Sequence, residues 1–371
     1  MHAPERSAPD APGRTGRNLL DLTQAELEAF VTGELGQPRF RADQIWQWLW
    51  GKDSRTFEDM TNLSRDLRDK LAARSHIFWP GVTTEKVSAD GTIKFLLRMH
   101  DGELIETVLI PGEDRYTQCL STQVGCAMAC TFCSTGQMGF TRNLSMGEIL
   151  GQVLVARRYL ADHELHQLKN LVFMGMGEPL LNVEEVIKSL EAMKSDKGLY
   201  FSHRKVTVSS VGLPAGLNRL AETGLALPAI SLHAPTQELR ARIMPKAARV
   251  DLDELMACLD ALPLKPRERI TYEYLMLRDV NDGIEHAKQL VKLLGGRKCK
   301  VNLIAFNPPP DGSIAYERPD EERMLAFEKY LWDRNITCTI RRSMGQDIGA
   351  ACGQLKAGEA EFGGGETDGR P

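Results

Sequence analysis

The sequence predicts an α/β protein: a parallel sheet with helical crossovers, open or closed into a barrel, behind a small helical domain and a β extension. Three observations carry this. From about Gln118 onward, short apolar runs alternate with segments of helical period, the pattern of repeated strand–helix units. Thr83 to Leu109 alternates like strands around an Asp90-Gly91 turn. Asn18 to about Ile77 reads as helical throughout.

In chain order, residues 1–17 are Pro-, Ala- and Arg-rich and are expected to be disordered. Residues 18–80 form the helical accessory domain. In its Leu22–Phe30 segment Thr23 is the helix cap and Glu26 closes a capping box. Arg39 to Trp50 mixes aromatic and basic residues, which suits the packed face of a small helical domain or a surface that stacks on RNA bases. Residues 81–117 are the β-rich extension, and 118–357 the strand–helix body. Within the body, strands are expected at 171–174, 205–209, 229–232, 270–275 and 300–304. Helices are expected at Ser145–Tyr159, with Ser145 and Glu148 as a capping box, and at Val183–Met193 and Ile284–Leu294. Residues 358–371 are Gly-rich and expected to be loose.

With 371 residues and 42% apolar side chains, the chain can bury a large core. Its formal charge of −4 excludes a uniformly basic surface, so any RNA contact must come from local patches. No apolar run is long enough to span a membrane. The start, Met1-His2-Ala3-Pro4-Glu5-Arg6, has no apolar core of a signal peptide. The expectation is a cytoplasmic protein, in which clustered cysteines point to metal or catalysis rather than disulfide scaffolding.

In either sheet form, chemistry belongs at the carboxyl ends of the strands. Polar and glycine-rich residues gather there: Gly175-Met176-Gly177-Glu178-Pro179, Ser209-Ser210, His233-Ala234-Pro235 and Asn307-Pro308. The sharpest signal is Cys126, Cys130 and Cys133, a C-x3-C-x2-C run. Three thiolates suit an iron–sulfur cluster with one iron left open. Zinc is the rival, and would need a fourth ligand from Cys119, Cys352 or a histidine. The Gly175–Pro179 segment lacks the third glycine of a dinucleotide fingerprint, since Leu180 stands there. It reads better as a sharp turn whose carbonyls and Glu178 carboxylate could meet an ammonium group. Cys258, Cys299 and Cys338 lie in regular patterns and read as core filler, whereas Cys352 sits among small residues that suit a close-approaching loop. Glu106, taken alone, is a strand carboxylate facing water.

Together the cysteine triplet, Gly175–Pro179, Ser231-Leu232-His233-Ala234-Pro235, Asn302-Leu303-Ile304 with Asn307-Pro308, and Ala350-Ala351-Cys352-Gly353-Gln354-Leu355 resemble the RlmN family. These are radical SAM enzymes that methylate adenine C2 in ribosomal and transfer RNA. The resemblance runs from about Asn18 to Leu355 and implies a partial (βα)6 TIM-like barrel of the radical SAM type. It implies that Cys126, Cys130 and Cys133 hold one [4Fe–4S] cluster whose open iron binds S-adenosylmethionine (SAM). Gly177, Glu178, Ser209, Ser231, Leu232, His233 and Asn307 match the family's SAM-contacting positions. The implied chemistry methylates Cys352, converts that methyl group to a radical that adds to C2, and so joins protein to RNA. Glu106 then accepts the C2 proton. Cys119 attacks the Cys352 sulfur, releasing methylated RNA and leaving a transient disulfide that reduction resets.

The implied partners are 23S rRNA, tRNA and a flavodoxin-type electron donor, with the protein itself a monomer. Arg39, Arg41, Arg204, Lys205, Arg341 and Arg342 are candidate phosphate contacts. Met344 stands where many relatives carry Arg. Two other readings remain open on the residues: a Cfr-like enzyme acting at adenine C8, and a zinc-stabilised RNA-binding protein without catalysis.

Overall fold

The computed structural model describes residues 16–357. Apart from Gly16 and Arg17, the terminal segments expected to be disordered lie outside the described residues.

The chain opens as a helical cap. A short parallel pair, β1 (Arg17–Asn18) with β2 (Ser75–His76), ties its two ends together. Between them lie α1 (Gln24–Ala29), α2 (Phe40–Trp46) and α3 (Arg65–Arg74). The Thr23–Glu26 capping box forms at the start of α1. Trp46 and Trp50 are buried, with ring centroids 5.8 Å apart. Trp46 Nε1 donates to Ser195 Oγ at 3.1 Å, fastening the cap to the body. The aromatic run is therefore mainly a packed face. Trp48 stays partly open beneath the Lys52 ammonium, 3.6 Å from its ring.

An antiparallel meander follows: β3 (Gly81–Val87), β4 (Ile93–Arg98) and β5 (Leu104–Pro111). Its Asp90-Gly91 turn places Gly91 at φ 84°, where glycine avoids the Cβ penalty. β5 pairs antiparallel with β6 (Tyr116–Cys119), and β6 begins the parallel region. A separate ribbon, β7 (Gln123–Gly125) with β8 (Phe140–Asn143), brackets the cysteine loop and the short α4 (Ser134–Gln137).

The body then alternates strand and helix. Its elements are α5 (Met146–Asp162), β9 (Leu168–Phe173), α6 (Val183–Lys194), β10 (Val206–Ser210), α7 (Pro214–Thr223) and β11 (Leu227–Ser231). They continue through α8 (Gln237–Ile243), α9 (Leu252–Asp260), β12 (Ile270–Met276), α10 (Ile284–Leu294), β13 (Cys299–Ala305), α11 (Glu321–Trp332) and β14 (Thr337–Arg341). The ten-stranded sheet runs β14-β13-β12-β11-β10-β9-β6-β5-β4-β3. From β6 each new parallel strand adds to the same growing edge, so the strand order never reverses. A doubly wound sheet has such a reversal; a barrel does not. Among the described residues, six strand–helix units and a last strand thus make a partial barrel, with no strand on the far side of β14.

The expected strands and helices all form, within a few residues of their predicted ends. β12 is buried along its whole length, as a central parallel strand covered on both faces must be. No helix among the described residues is long and apolar enough to cross a membrane.

Candidate active site

The carboxyl ends of the parallel strands face the cysteine loop. That loop is wound tightly. Cys126 N donates to the Gly139 carbonyl at 2.6 Å, and Cys133 N to the Cys130 carbonyl at 3.2 Å. Gly125 sits at φ 72°, and a Cβ there would stand 2.0 Å from the Gly139 oxygen, so only glycine fits. All three thiols line a cavity of about 160 Å³, shared with Gly177, Glu178, Ser209, Ser231 and His233.

Among the described residues no three His, Cys, Asp or Glu side chains converge on a single metal ion. Met128 and Phe132 are buried and give the loop an apolar cover, packed with Val211, Met244, Leu275 and Ile304. Burial pushes the Cys126 thiol up to about 12 and the Cys130 thiol well above its ordinary value, so bound iron would have to displace their protons. The donor set and its apolar shell fit the cluster the sequence implied.

Glu178 is buried, and burial raises its pKa against the hydrogen bonds that favour the anion. Its two oxygens receive Val211 N at 2.9 Å and Leu180 N at 3.0 Å. It therefore joins the ends of β9 and β10 as well as lining the cavity. His233 sits at φ 54°, a conformation uncommon for a residue with a side chain. Leu275 N donates to its Nδ1 at 2.9 Å, which leaves Nε2 to carry the proton. Burial, with the Arg240 charge second, lowers its pKa to about 3, so the ring is neutral. It presents a hydrogen-bond donor and no charge. Ser209 and Ser231 face each other at 3.3 Å between their hydroxyls.

Leu232 and Asn307 are buried and stand behind the wall. Leu232 N donates to the Glu273 carbonyl at 3.1 Å. Asn307 lies three residues past Ile304, which lines the cavity, and its oxygen accepts from Arg318 at 2.9 Å.

A second cavity of about 170 Å³ holds both Cys119 and Cys352 on its wall. Cys133, Gly175, Arg341 and Cys352 line both cavities. The structure thus brings the two cysteines to one space that adjoins the triplet. Burial, and next the neighbouring Cys352, push the Cys119 thiol up to about 12. Cys352 is exposed, yet desolvation still raises its thiol, with Arg341 opposing that shift. Cys299 and Cys338 are buried in strands, as expected of core filler. Cys258 is half-buried, its sulfur 3.6 Å from Asn218 Oδ1.

Glu106 differs from its reading as a water-facing carboxylate. It is fully buried, lies beneath the segment carrying Cys352, and touches the Lys94 ammonium at 2.8 Å. Lys356 N donates to its other oxygen at 2.9 Å. Of the basic candidates, Arg341 lines both cavities and Arg342 the second. Arg39 pairs with Glu28 at 2.9 Å on the cap surface.

Two residues of this site escaped the sequence reading. Arg240, fully buried on α8, donates to the carbonyls of Ser231, Leu232 and Val211. Glu273 lies buried at the centre of β12 and lines the first cavity. A charge inside a strand of otherwise apolar residues, and an Arg spaced three and four residues before Ile243 and Met244, were the available signals.

A one-directional parallel barrel with three cysteines at its mouth defines a radical SAM protein. Comparison with known proteins agrees. Residues 120–294 match the model of the Radical SAM superfamily. Residues 17–77 match that of the ribosomal RNA large subunit methyltransferase N-terminal domain. The chain is 59% identical over 349 residues to the dual-specificity RNA methyltransferase RlmN of Nitratidesulfovibrio vulgaris strain Miyazaki F, covering 92% of this chain and 95% of that one. It is 46% identical to the protein of the same name from Geotalea uraniireducens, covering 91% and 96%. The crystal structure of a radical SAM methyltransferase from Sphaerobacter thermophilus superposes with a TM-score of 0.87 at 42% identity, covering 92% of this chain and all of that one. The chain belongs to the RlmN family of radical SAM RNA methyltransferases.

Proposed function

We propose that this chain methylates C2 of adenosine in 23S rRNA and in tRNA, through a methylated Cys352 and a covalent protein–RNA adduct. The observation that carries the reading is the shared cavity of Cys119 and Cys352, continuous at Cys133 with the cavity of the triplet. The name those relatives carry, dual-specificity RNA methyltransferase, supports the substrate class.

Cys126, Cys130 and Cys133 would hold the [4Fe–4S] cluster, and Gly177, Glu178, Ser209, Ser231, Leu232, His233 and Asn307 would hold SAM. Bound together, cluster and SAM supply a methyl group and a radical able to take hydrogen from carbon. Cys352 carries the one-carbon unit as a thioether and delivers it to C2. Glu106 accepts the C2 proton. The adduct's unpaired electron would return to the bound cluster. Cys119, as its thiolate, attacks the Cys352 sulfur; the C–S bond to the RNA breaks, its electron pair stays on the CH2 group attached to C2, which takes up a proton to become the methyl group, and the two sulfurs are left as a disulfide. Neutral His233 orients the cofactor without adding a charge.

The target base must leave its stack to reach so recessed a site. The helical cap, residues 18–80, is the RNA grip, 81–117 the β extension and 118–357 the catalytic body. The protein works as a cytoplasmic monomer with a flavodoxin-type donor.

Anaerobic turnover with SAM and RNA tests this. Cys352→Ala is expected to transfer no methyl group, and Cys119→Ala to accumulate protein bound to RNA. Nucleoside analysis of RNA treated with the unaltered enzyme is expected to find 2-methyladenosine. Free methylated RNA at the normal rate from either variant, or 8-methyladenosine as the product, would defeat the proposal.

A further inference from the structure

The β extension belongs to no strand–helix unit, yet it contacts one functional segment repeatedly. That segment is 345–356, which follows β14 and carries Cys352. At its start, Gly345 N donates to Asp90 Oδ2 at 2.8 Å. Ser88 Oγ donates to Asp347 Oδ1 at 2.6 Å, and Ala89 N to Asp347 Oδ2 at 3.3 Å. All three partners lie in the β3–β4 turn. Closer to Cys352 the contacts pass to one buried pair. Lys94 on β4 and Glu106 on β5 are 1% and 0% exposed and 2.8 Å apart. Lys94 Nζ also donates to the Gly349 carbonyl at 3.2 Å. Glu106 Oε2 accepts from Lys356 N at 2.9 Å. Cys352 therefore lies between two contacts to the same ion pair, three residues after one and four before the other, while the intervening Gly353 and Leu355 carbonyls accept from Ser134 N and Thr135 Oγ1 and the Gln354 amide donates to the Pro308 carbonyl. Gly349 stands at φ 63°, which lets the backbone turn its carbonyl onto the ammonium.

Burying a lysine this deeply gains little stability, because desolvation offsets the attraction. What such a pair does well is fix geometry. We propose that Lys94 is a positioning residue: its ammonium, shared between the Glu106 carboxylate and the Gly349 carbonyl, sets where the Cys352 segment lies relative to Glu106. The inference rests on the roles proposed above for Cys352 and Glu106. It explains why the meander precedes the barrel: it is the bed on which the mobile partner of the chemistry is aligned. The carboxylate is held by the same cation that holds the thiol's loop, so the two groups keep one spacing.

Hydrogen exchange of the cluster-loaded full chain tests it. Lys94→Met keeps the length of the side chain and removes its charge. Exchange across 345–356 is expected to quicken by about tenfold or more, the loss of one charge-assisted hydrogen bond, while 270–276 and 299–305 keep the parent rate. Lys94→Arg is expected to restore most of the protection. Should Lys94→Met fail to fold, Glu106→Gln removes the charge from the other side and is expected to loosen the same segment. Unchanged exchange in 345–356, or an equal rise in 270–276, would overturn the proposal. Those outcomes leave methyl transfer by the parent untouched, whereas failure of the catalytic reading appears as a parent enzyme that transfers no methyl group.

Discussion

Replacing Arg240 by Met is expected to loosen the mouth of the barrel more than any visible surface change would. The guanidinium donates to Leu232 O at 2.9 Å, to Ser231 O at 3.3 Å and to Val211 O. It thereby joins the carboxyl ends of β10 and β11, where Ser209, Ser231 and, just beyond, His233 reach the cavity. Each hydrogen bond to a charged group contributes about 1.5–3 kcal/mol. Opposing them is the penalty for a buried cation. Desolvation lowers Arg240 from 12.5 to about 10, which costs about 3 kcal/mol at 1.36 kcal/mol per unit. The balance is a loss of about 3 kcal/mol. A chain of this size unfolds with an entropy of about 0.7 kcal/mol/K, so the melting temperature should fall by about 4 °C. Calorimetry on the cluster-loaded protein reads that shift, and titration with SAM reads the cavity. Lysine would not rescue the site, since a single ammonium cannot reach three divergent carbonyls as a planar fork does. A Met variant that melts within about 1 °C of the parent and binds SAM equally would refute the view that Arg240 organises these loops.

Gly177→Ala should damage the same cavity from the other side. Gly177 stands at φ 103°, and a Cβ there would lie 2.6 Å from Gln123 Cβ, whose amide oxygen accepts from Glu178 N at 2.8 Å. The strain of about 1–3 kcal/mol should appear as weaker SAM binding in calorimetric titration, and unchanged affinity would contradict the packing argument. A pH dependence follows from His100, whose pKa is raised from 6.5 mainly by its hydrogen bond to Glu148, 2.9 Å away. A folded pKa above the unfolded one gives stability that is complete below pH 6.5 and fades as pH climbs through the raised value. The melting temperature of His100→Gln should therefore trail the parent most in mildly acidic buffer and approach it in alkaline buffer. A gap that widened with pH would reverse the sign and refute the assignment.

The barrel was legible because its strands are short, largely apolar runs that alternate with segments of helical period, as Ala229-Ile230-Ser231-Leu232 before α8 illustrates. Helices with their own start signals were legible for a local reason, as the Ser145–Glu148 capping box of α5 illustrates. α7, α8 and α9 are harder to read, although Thr236 and Asp251 cap the last two, because short helices carry few turns of periodicity. The site divided along the same line. Cys126, Cys130 and Cys133 lie within one loop, so their spacing states their partnership. Lys94 and Glu106 sit twelve residues apart on neighbouring strands, with β4–β5 register pairing Lys94 to Val108 and Glu106 to Leu96. Their contact exists only once that register is set. Glu106 read as water-facing for this reason: the segment that covers it lies some 250 residues downstream, and no local pattern announces it.

The open edge of the barrel explains where the two outlying cysteines are found. Cys119 ends β6, the first parallel strand, and Cys352 follows β14, the last. In a closed barrel those strands would pair, and their ladder would fill the space between them. Here β6 pairs with β5 instead, and among the described residues β14 has no strand beyond it. The gap is taken up by the second cavity, walled by Cys119 on one side and by Arg341 and Cys352 on the other. Replacing a strand ladder by a loop exchanges many fixed backbone hydrogen bonds for a few side-chain tethers, and local opening is governed by how many such bonds must break. The chemistry proposed for Cys352 needs that exchange. One sulfur must face first the cluster cavity, then a base, then Cys119, and a residue inside a paired strand could serve only one of them.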